Sequence, residues 1–290
     1  MQPWRVLPLI TTSGAMQMAI DTWLLEQHRR GYGPSSLRFY AWSPVALSLG
    51  YHQYRYPDTW HQLEWNGCPV DLVRRPSGGR AVLHQGDLTY AIVTSEKEIL
   101  GIKGDRRQPG ESQRSYVYRT LCQFLIDGMQ SLGIDLHYGH AGRGYIHNPN
   151  CFGTATTADL ILSDGTKLIG SAQLKRGNSI LQHGSIRIHP DSGLFQEVFG
   201  LGPGTAEAET GENVGAEGTE ETEDVSQNLK SSLQNCSIET IISALTTAAD
   251  QCFGIDGTVQ PLSPQEWDTI LTQSQKWHIP NHHSSTNLLG

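Results

Sequence analysis

Three stretches of this 290-residue chain hold side chains able to do chemistry. The first is RRPSGGRAVLH, from Arg74 to His84. Glycine has no Cβ, so Gly78 and Gly79 let a ligand approach the backbone, and exposed amides there can hold a carbonyl or phosphate oxygen. Arg74, Arg75 and Arg80 add positive charge, while Ser77 and His84 add hydrogen-bonding groups. An ordinary turn with solvated arginines has the same local pattern, and the GxxxxGK[ST] phosphate loop is absent. The second stretch is NPNCFGTATTADL, where Cys151 follows Pro149 in polar surroundings. A loop thiol is open to substrate and becomes a nucleophile where a cation stabilises its thiolate; His147 stands four residues earlier. By itself a lone loop cysteine is more often an idle thiol. The third is TKLIGSAQ, in which Lys167, Ile169 and Ser171 share one strand face by the period of two. Small residues Gly170, Ser171 and Ala172 leave room for a ligand, although a strand lysine is usually solvated.

These groups need elements to position them. Residues 12–30 read as an amphipathic helix with Thr12 or Ser13 as cap and Gly31 and Gly33 at its end. SLRFYAW and ALSLGY read as strands, and PDTWHQLEWNG as a short helix stopped by Gly67. PVDLVRR, RAVLH and DLTYAIV are strand-like, with PSGG between the first two and QGD as a hairpin turn between the last two. Residues 111–132 carry the longest helical pattern. TADLILS and TKLIGSAQLKR are strands joined at Asp164-Gly165, and Gly177-Asn178 turns the chain into SILQHGSIRI. Helical patterns return near 237–252 and 263–276. Helices mixed with antiparallel hairpins favour an α+β fold over a doubly wound parallel sheet.

The net charge of −8 is unevenly placed. Residues 203–229 hold eight of the 29 acids and no Lys or Arg, so the remaining 21 acids balance 21 bases. A neutral body argues against nucleic-acid binding, which needs surplus phosphate-neutralising bases. Residues 201–230 have almost no large apolar side chains and are expected to be a disordered acidic insert. The catalytic unit is then expected over 1–200 plus 231–278, with 279–290 a flexible tail. No apolar run of about 18 residues predicts a membrane span. The N-terminus reads as a strand rather than a signal peptide. Five widely spaced cysteines without CxxC suggest reduced thiols in the cytoplasm, and twelve histidines without HExxH or paired spacing suggest no metal.

Taken in order, SGAMQMAIDTWLLE, LRFYAWSPVALSLGYHQ, RRPSGGRAVLHQGDLTYAIV and DGTKLIGSAQLKRGNSILQHGSI resemble the lipoate and biotin protein ligase and octanoyltransferase superfamily. The resemblance spans Trp4 to Phe199 and resumes weakly in FGIDGTVQPLSPQEW. It implies a largely antiparallel mixed sheet flanked by helices. The chain is most similar to LipM-type octanoyltransferases, which carry octanoate from acyl carrier protein to a lysine of the glycine-cleavage H protein or a dehydrogenase E2 lipoyl domain. Their nucleophilic cysteine maps to Cys151 and their active-site lysine to Lys167. The resemblance implies no cofactor for transfer. ATP-dependent lipoate ligases share the Gly-rich and lysine segments and would need ATP and magnesium; they resemble the chain less at Cys151. The acidic insert is this chain's own departure.

Overall fold

The computed structural model describes residues 4–102, 107–139, 159–200, 233–255 and 258–280. The expected insert at 201–230, Cys151, His147 and residues 281–290 of the expected tail lie outside the described residues.

The scaffold is an eight-stranded mixed sheet with helices on both faces. Its centre is built from β2 (Ser36–Trp42), β8 (Asp87–Ser95), β12 (Ser179–Arg187) and β11 (Lys167–Arg176), each antiparallel to the next. Beyond β2 lies β1 (Arg5–Thr12), which pairs in parallel with both β2 and β13 (Thr258–Val259). Beyond β11 lie β10 (Leu160–Ile161) and β9 (His137–Tyr138), again antiparallel. The result is the expected α+β architecture.

Burial on both faces explains the apolar strand sequences. Along β8, Tyr90 and Ile92 point into the layer under α3 (Gln113–Ser131) and α5 (Ile238–Phe253), while Ala91 and Val93 point into the layer under α1 (Gly14–Arg29). On the α1 side, α6 (Pro264–Ser274) closes the layer with Ile270 and is tied to β1 by the Arg5–Glu266 ion pair at 2.8 Å. Ser13 does stand at the N-cap of α1, yet its side chain makes no capping bond. The Asp71 carboxylate instead accepts the Gly14 amide at 3.0 Å, which joins α1 to a second, smaller sheet.

That smaller sheet has β3 (Ala46–Leu49) at its centre, parallel to β6 (Asp71–Arg74) and antiparallel to β7 (Val82–His84). The PSGG segment links β6 to β7 across β3. Two turn expectations need correction here. Gln85-Gly86-Asp87 is no hairpin turn, because β7 belongs to the small sheet and β8 to the large one. Gly86 takes φ +64°, a conformation that costs most residues, and its carbonyl receives the amides of Ile188 and His189. The expected helix stopped by Gly67 is a 3₁₀ turn over Asp58–Gln62, followed by the hairpin of β4 (Glu64–Trp65) and β5 (Cys68–Pro69). Asn66 and Gly67 both have positive φ, which is the Asn-Gly turn that matches strand twist. By contrast, the turns at Asp164-Gly165 and Gly177-Asn178 join antiparallel strands as expected.

Candidate active site

Where the small sheet abuts the β11–β12 hairpin lies a cavity of about 130 Å³. Its apolar wall comes from Met18, Tyr40, Trp42 and Val82, and its polar wall from Ser48, Arg75, His84, Lys167, Ser171 and His183. A wider hollow of about 540 Å³ runs beside the first turns of α3, lined by Gly78, Arg114, Tyr118, Arg119 and Tyr138. Gly79, Ser171 and Ala172 line both spaces and form their junction. Gly170 lines the inner cavity only.

The Gly-rich loop is held by Arg75 of the cavity wall. Arg75 is buried and commits its guanidinium to carbonyls: Ser48 at 2.8 Å, Gly78 at 2.9 Å and Arg80 at 2.6 Å. These bonds brace the loop, and the same side chain lines the cavity. Arg74 lines neither space; it donates to the carbonyls of Gly50 and Gln53 at 3.0 and 2.8 Å and lies over the Tyr54 ring. Gly79 takes φ +97°, and a Cβ on it would meet the Arg75 guanidinium at 2.7 Å. Ser77 is buried, and its carbonyl accepts the Tyr51 amide. Among the described residues, the amides of Gly78 and Gly79 donate to no group. They are available for an anionic oxygen.

On β11, Ser171 offers a further amide. Its carbonyl accepts from the Tyr118 hydroxyl at 3.2 Å, away from β12. In an antiparallel strand a residue's N–H and C=O point to the same side, so the Ser171 amide faces the same open edge. Burial raises the Tyr118 and Tyr90 hydroxyl pKa values well above 10, so both remain protonated donors at neutral pH. Tyr90 bonds Ser171 Oγ at 2.7 Å. Gly184 opposes Ser171 across the hairpin. A Cβ at Gly184 would meet Ser171 Oγ at 2.6 Å, so the close fit requires glycine.

Lys167 departs from the usual solvated strand lysine. It is buried at the cavity wall, with Nζ 2.8 Å from Asp159 Oδ1. Ile169 and Ser171 share a face as expected: across β12 they stand in register with Leu88 and Tyr90 of β8, in the layer under α3, and Ser171 also lines the cavity with Lys167. The pairing of β10 with β11 shifts register between Leu160 and Ile161, opposite this segment.

Two imidazoles line the cavity, each between a carboxylate and a serine. His84 Nδ1 lies 2.8 Å from Asp87 Oδ2 and Nε2 lies 2.9 Å from Ser48 Oγ; its ring stacks on Trp42 at 3.8 Å. Burial pushes the His84 pKa below 6.5, and the opposing Asp87 charge does not overcome it. A neutral imidazole against a carboxylate carries its proton on that side, leaving Nε2 as acceptor. His183 Nδ1 lies 2.8 Å from Asp21 Oδ2 and Nε2 lies 2.5 Å from Ser77 Oγ. Burial alone would raise the Asp21 pKa, but Arg38 at 2.9 Å, His183 and Tyr40 together lower it below 3.8. Asp21, Ser48, Asp87, Asp159 and His183 were not singled out as site residues by sequence. The partners of Asp21, Ser48 and His183 lie far away along the chain; Asp159 meets Lys167 across one turn, and His84 and Asp87 have i, i+3 spacing. Among the described residues, no group of three or more His, Cys, Asp or Glu side chains is placed to hold a metal ion. None of the described helices is long and apolar enough to cross a membrane.

Comparison with known proteins places this geometry in a family. A model described as the lipoyl protein ligase A/B catalytic domain matches residues 13–250. The chain is similar to a protein named octanoyltransferase LipM from Kyrpidia tusciae, 37% identical over 198 residues, covering 66% of this chain and 68% of the relative. Another octanoyltransferase LipM, from Anoxybacillus flavithermus, is 34% identical over 207 residues, covering 68% and 69% respectively. Among solved structures, a putative lipoate protein ligase from T. acidophilum with bound lipoic acid superposes with TM-score 0.65 at 21% identity, covering 95% of this chain and 96% of the other. A lipoate-protein ligase A bound with ATP gives TM-score 0.65 at 20% identity, covering 95% of each chain. At that identity the two structures speak for the fold alone. The family model and the relatives together show that this chain belongs to the lipoyl protein ligase A/B catalytic-domain family.

Proposed function

We propose that this protein is an acyltransferase that moves octanoate, or a similar medium-chain acyl group, from acyl carrier protein to a lysine of a lipoyl carrier. The carrier is the glycine-cleavage H protein or a dehydrogenase E2 lipoyl domain. The similarity to octanoyltransferases supports the reaction, and one structural observation carries it to residues. A buried lysine and unused loop amides border a cavity whose other wall is apolar.

In this reading the acyl chain lies against Met18, Trp42 and Val82, where each buried methylene contributes about 0.8 kcal/mol. The thioester carbonyl sits at the junction marked by Gly79, Ser171 and Ala172. Its oxygen receives the amides of Gly78, Gly79 and Ser171 together with the Lys167 ammonium. Cys151 attacks the acyl carbon as thiolate; the bond to the pantetheine sulfur breaks, and that sulfur leaves as thiolate and takes its proton from solvent. The Lys167 charge favours the thiolate form. A neutral lysine amine of the carrier then attacks the acyl-cysteine, forms the amide and returns the thiolate. The amine's excess proton passes through the Ser48 hydroxyl to His84 Nε2. Thioester to amide is downhill, so the route needs neither ATP nor metal.

Two mixtures separate this from an ATP-dependent ligase. Octanoyl carrier protein without nucleotide should octanoylate a lipoyl domain. Free lipoate with Mg-ATP should leave it unmodified. The reverse pattern would replace the transferase reading with the ligase one.

A further inference from the structure

The reaction proposed above uses the Gly78 and Gly79 amides, but the loop carrying them contains two glycines and is intrinsically permissive. Something must fix where those amides point. Arg75 and the Tyr51 amide hold carbonyls of the loop. The side chain of Ser77, the residue entering the glycine pair, is held separately by groups from two distant elements.

Asp21 belongs to α1, His183 to β12, and Ser77 to the loop. All three are buried. Asp21 Oδ2 stands 2.8 Å from His183 Nδ1, and His183 Nε2 stands 2.5 Å from Ser77 Oγ. Asp21 is itself fixed by Arg38 at 2.9 Å and by the Tyr40 hydroxyl at 3.1 Å. In the neutral imidazole a carboxylate facing Nδ1 keeps the proton there, so Nε2 accepts and Ser77 donates. The direction of the whole chain of bonds is therefore set from its buried end. With its hydroxyl tied to His183 and its carbonyl held by the Tyr51 amide, Ser77 anchors the start of the glycine pair at both side chain and backbone.

We propose that Asp21, His183 and Ser77 form a positioning relay that presents the Gly78 and Gly79 amides to the reacting carbonyl. None of the three acts on the acyl group itself. This rests on the transferase reading for its catalytic consequence, but the effect on the loop stands apart from it.

The relay can be divided chemically. In His183→Gln the side-chain amide reaches the Nε2 position and can still accept from Ser77. In His183→Asn it reaches only the Nδ1 position and can answer Asp21 alone. Ser77→Ala removes the donor while leaving the imidazole and Asp21 in place. Misplacing a reacting group by about 1 Å costs up to about 100-fold in rate. His183→Asn and Ser77→Ala should therefore each lower kcat for octanoyl transfer by about 10–100-fold, with KM for octanoyl carrier protein within about twofold. His183→Gln should recover most of kcat. The Ser77→Ala/His183→Asn pair should be no slower than the worse single variant, because both break one unit.

Hydrogen–deuterium exchange over residues 75–82 supplies the second arm. Exchange there should quicken in His183→Asn and Ser77→Ala and return towards wild type in His183→Gln. If the wild type transfers no octanoate but the loop follows this exchange pattern, the relay stands and the transferase reading falls. Multiplicative losses in the double variant, equal losses in both His183 variants, or unchanged loop exchange would overturn the relay.

Discussion

Replacing Lys167 by Met removes a charge and keeps an unbranched side chain of similar length. The structure sets the scale of the effect. Lys167 Nζ and Asp159 Oδ1 are 2.8 Å apart, with side-chain exposures of 3% and 6%. Taking one partner from such a buried pair costs about 3–5 kcal/mol, because the remaining charge keeps its desolvation penalty. That is a large share of the roughly 5–15 kcal/mol that holds a domain folded. Replacing both partners by apolar groups is often close to neutral, so Lys167→Met/Asp159→Leu should return to within about 2 kcal/mol of wild type. Catalysis should not return with it. An electrostatic donor to a developing oxyanion is worth about 100–1000-fold, and both variants lack it. Urea unfolding followed by tryptophan fluorescence reads the first quantity, and single-turnover octanoyl transfer reads the second. Iodoacetamide rate profiles of Cys151 in the stable double variant should also move to higher pH. A double variant that regained transfer along with stability would refute the catalytic role of Lys167. A single variant as stable as wild type would refute the buried pair.

Other consequences are equally open to measurement. Gly184→Ala places a Cβ 2.6 Å from Ser171 Oγ and 2.7 Å from the Gly170 carbonyl. It should cost about 1–3 kcal/mol and lower kcat by moving Ser171; an active, equally stable variant would contradict the close hairpin fit. Burial holds the folded His84 pKa below its ordinary 6.5, so its stabilising contribution is complete above 6.5 and is lost as pH falls through the folded value. Wild type should therefore lose more stability than His84→Gln between about pH 6.5 and 5 in urea titrations, and parallel curves would disprove this. Burial pushes the Cys122 thiol up to about 12, whereas Cys68 is exposed. Native protein at about pH 8 should alkylate Cys68 and spare Cys122 until unfolded; equal labelling rates would show that the α3 layer is open.

Local sequence made some of this site legible. The two-residue Gly177-Asn178 turn sets the register of the hairpin that carries Ser171, and Asp164-Gly165 marks the turn before Lys167. The PSGG loop was recognisable because only glycine tolerates the backbone seen at Gly79. What stayed hidden depended on chain-distant pairing. Asp21 and His183 are 162 residues apart, and neither has a local pattern that announces the other. The burial of Lys167 required Asp159 and the turn between them, not the period of the strand alone. The QGD and PDTWHQLEWNG expectations failed for a related reason. A short run flanked by strands does not say which sheet each strand joins, and an Asn-Gly turn outweighed a weak helical pattern.

The central claim is that an acyl group passes through Cys151, and intact-protein mass spectrometry tests it most directly. Mixed with octanoyl carrier protein and no acceptor, the wild type should gain one octanoyl group that maps to Cys151, and Cys151→Ala should gain none. An adduct that persists in Cys151→Ala, or that maps to Cys68, would contradict the account.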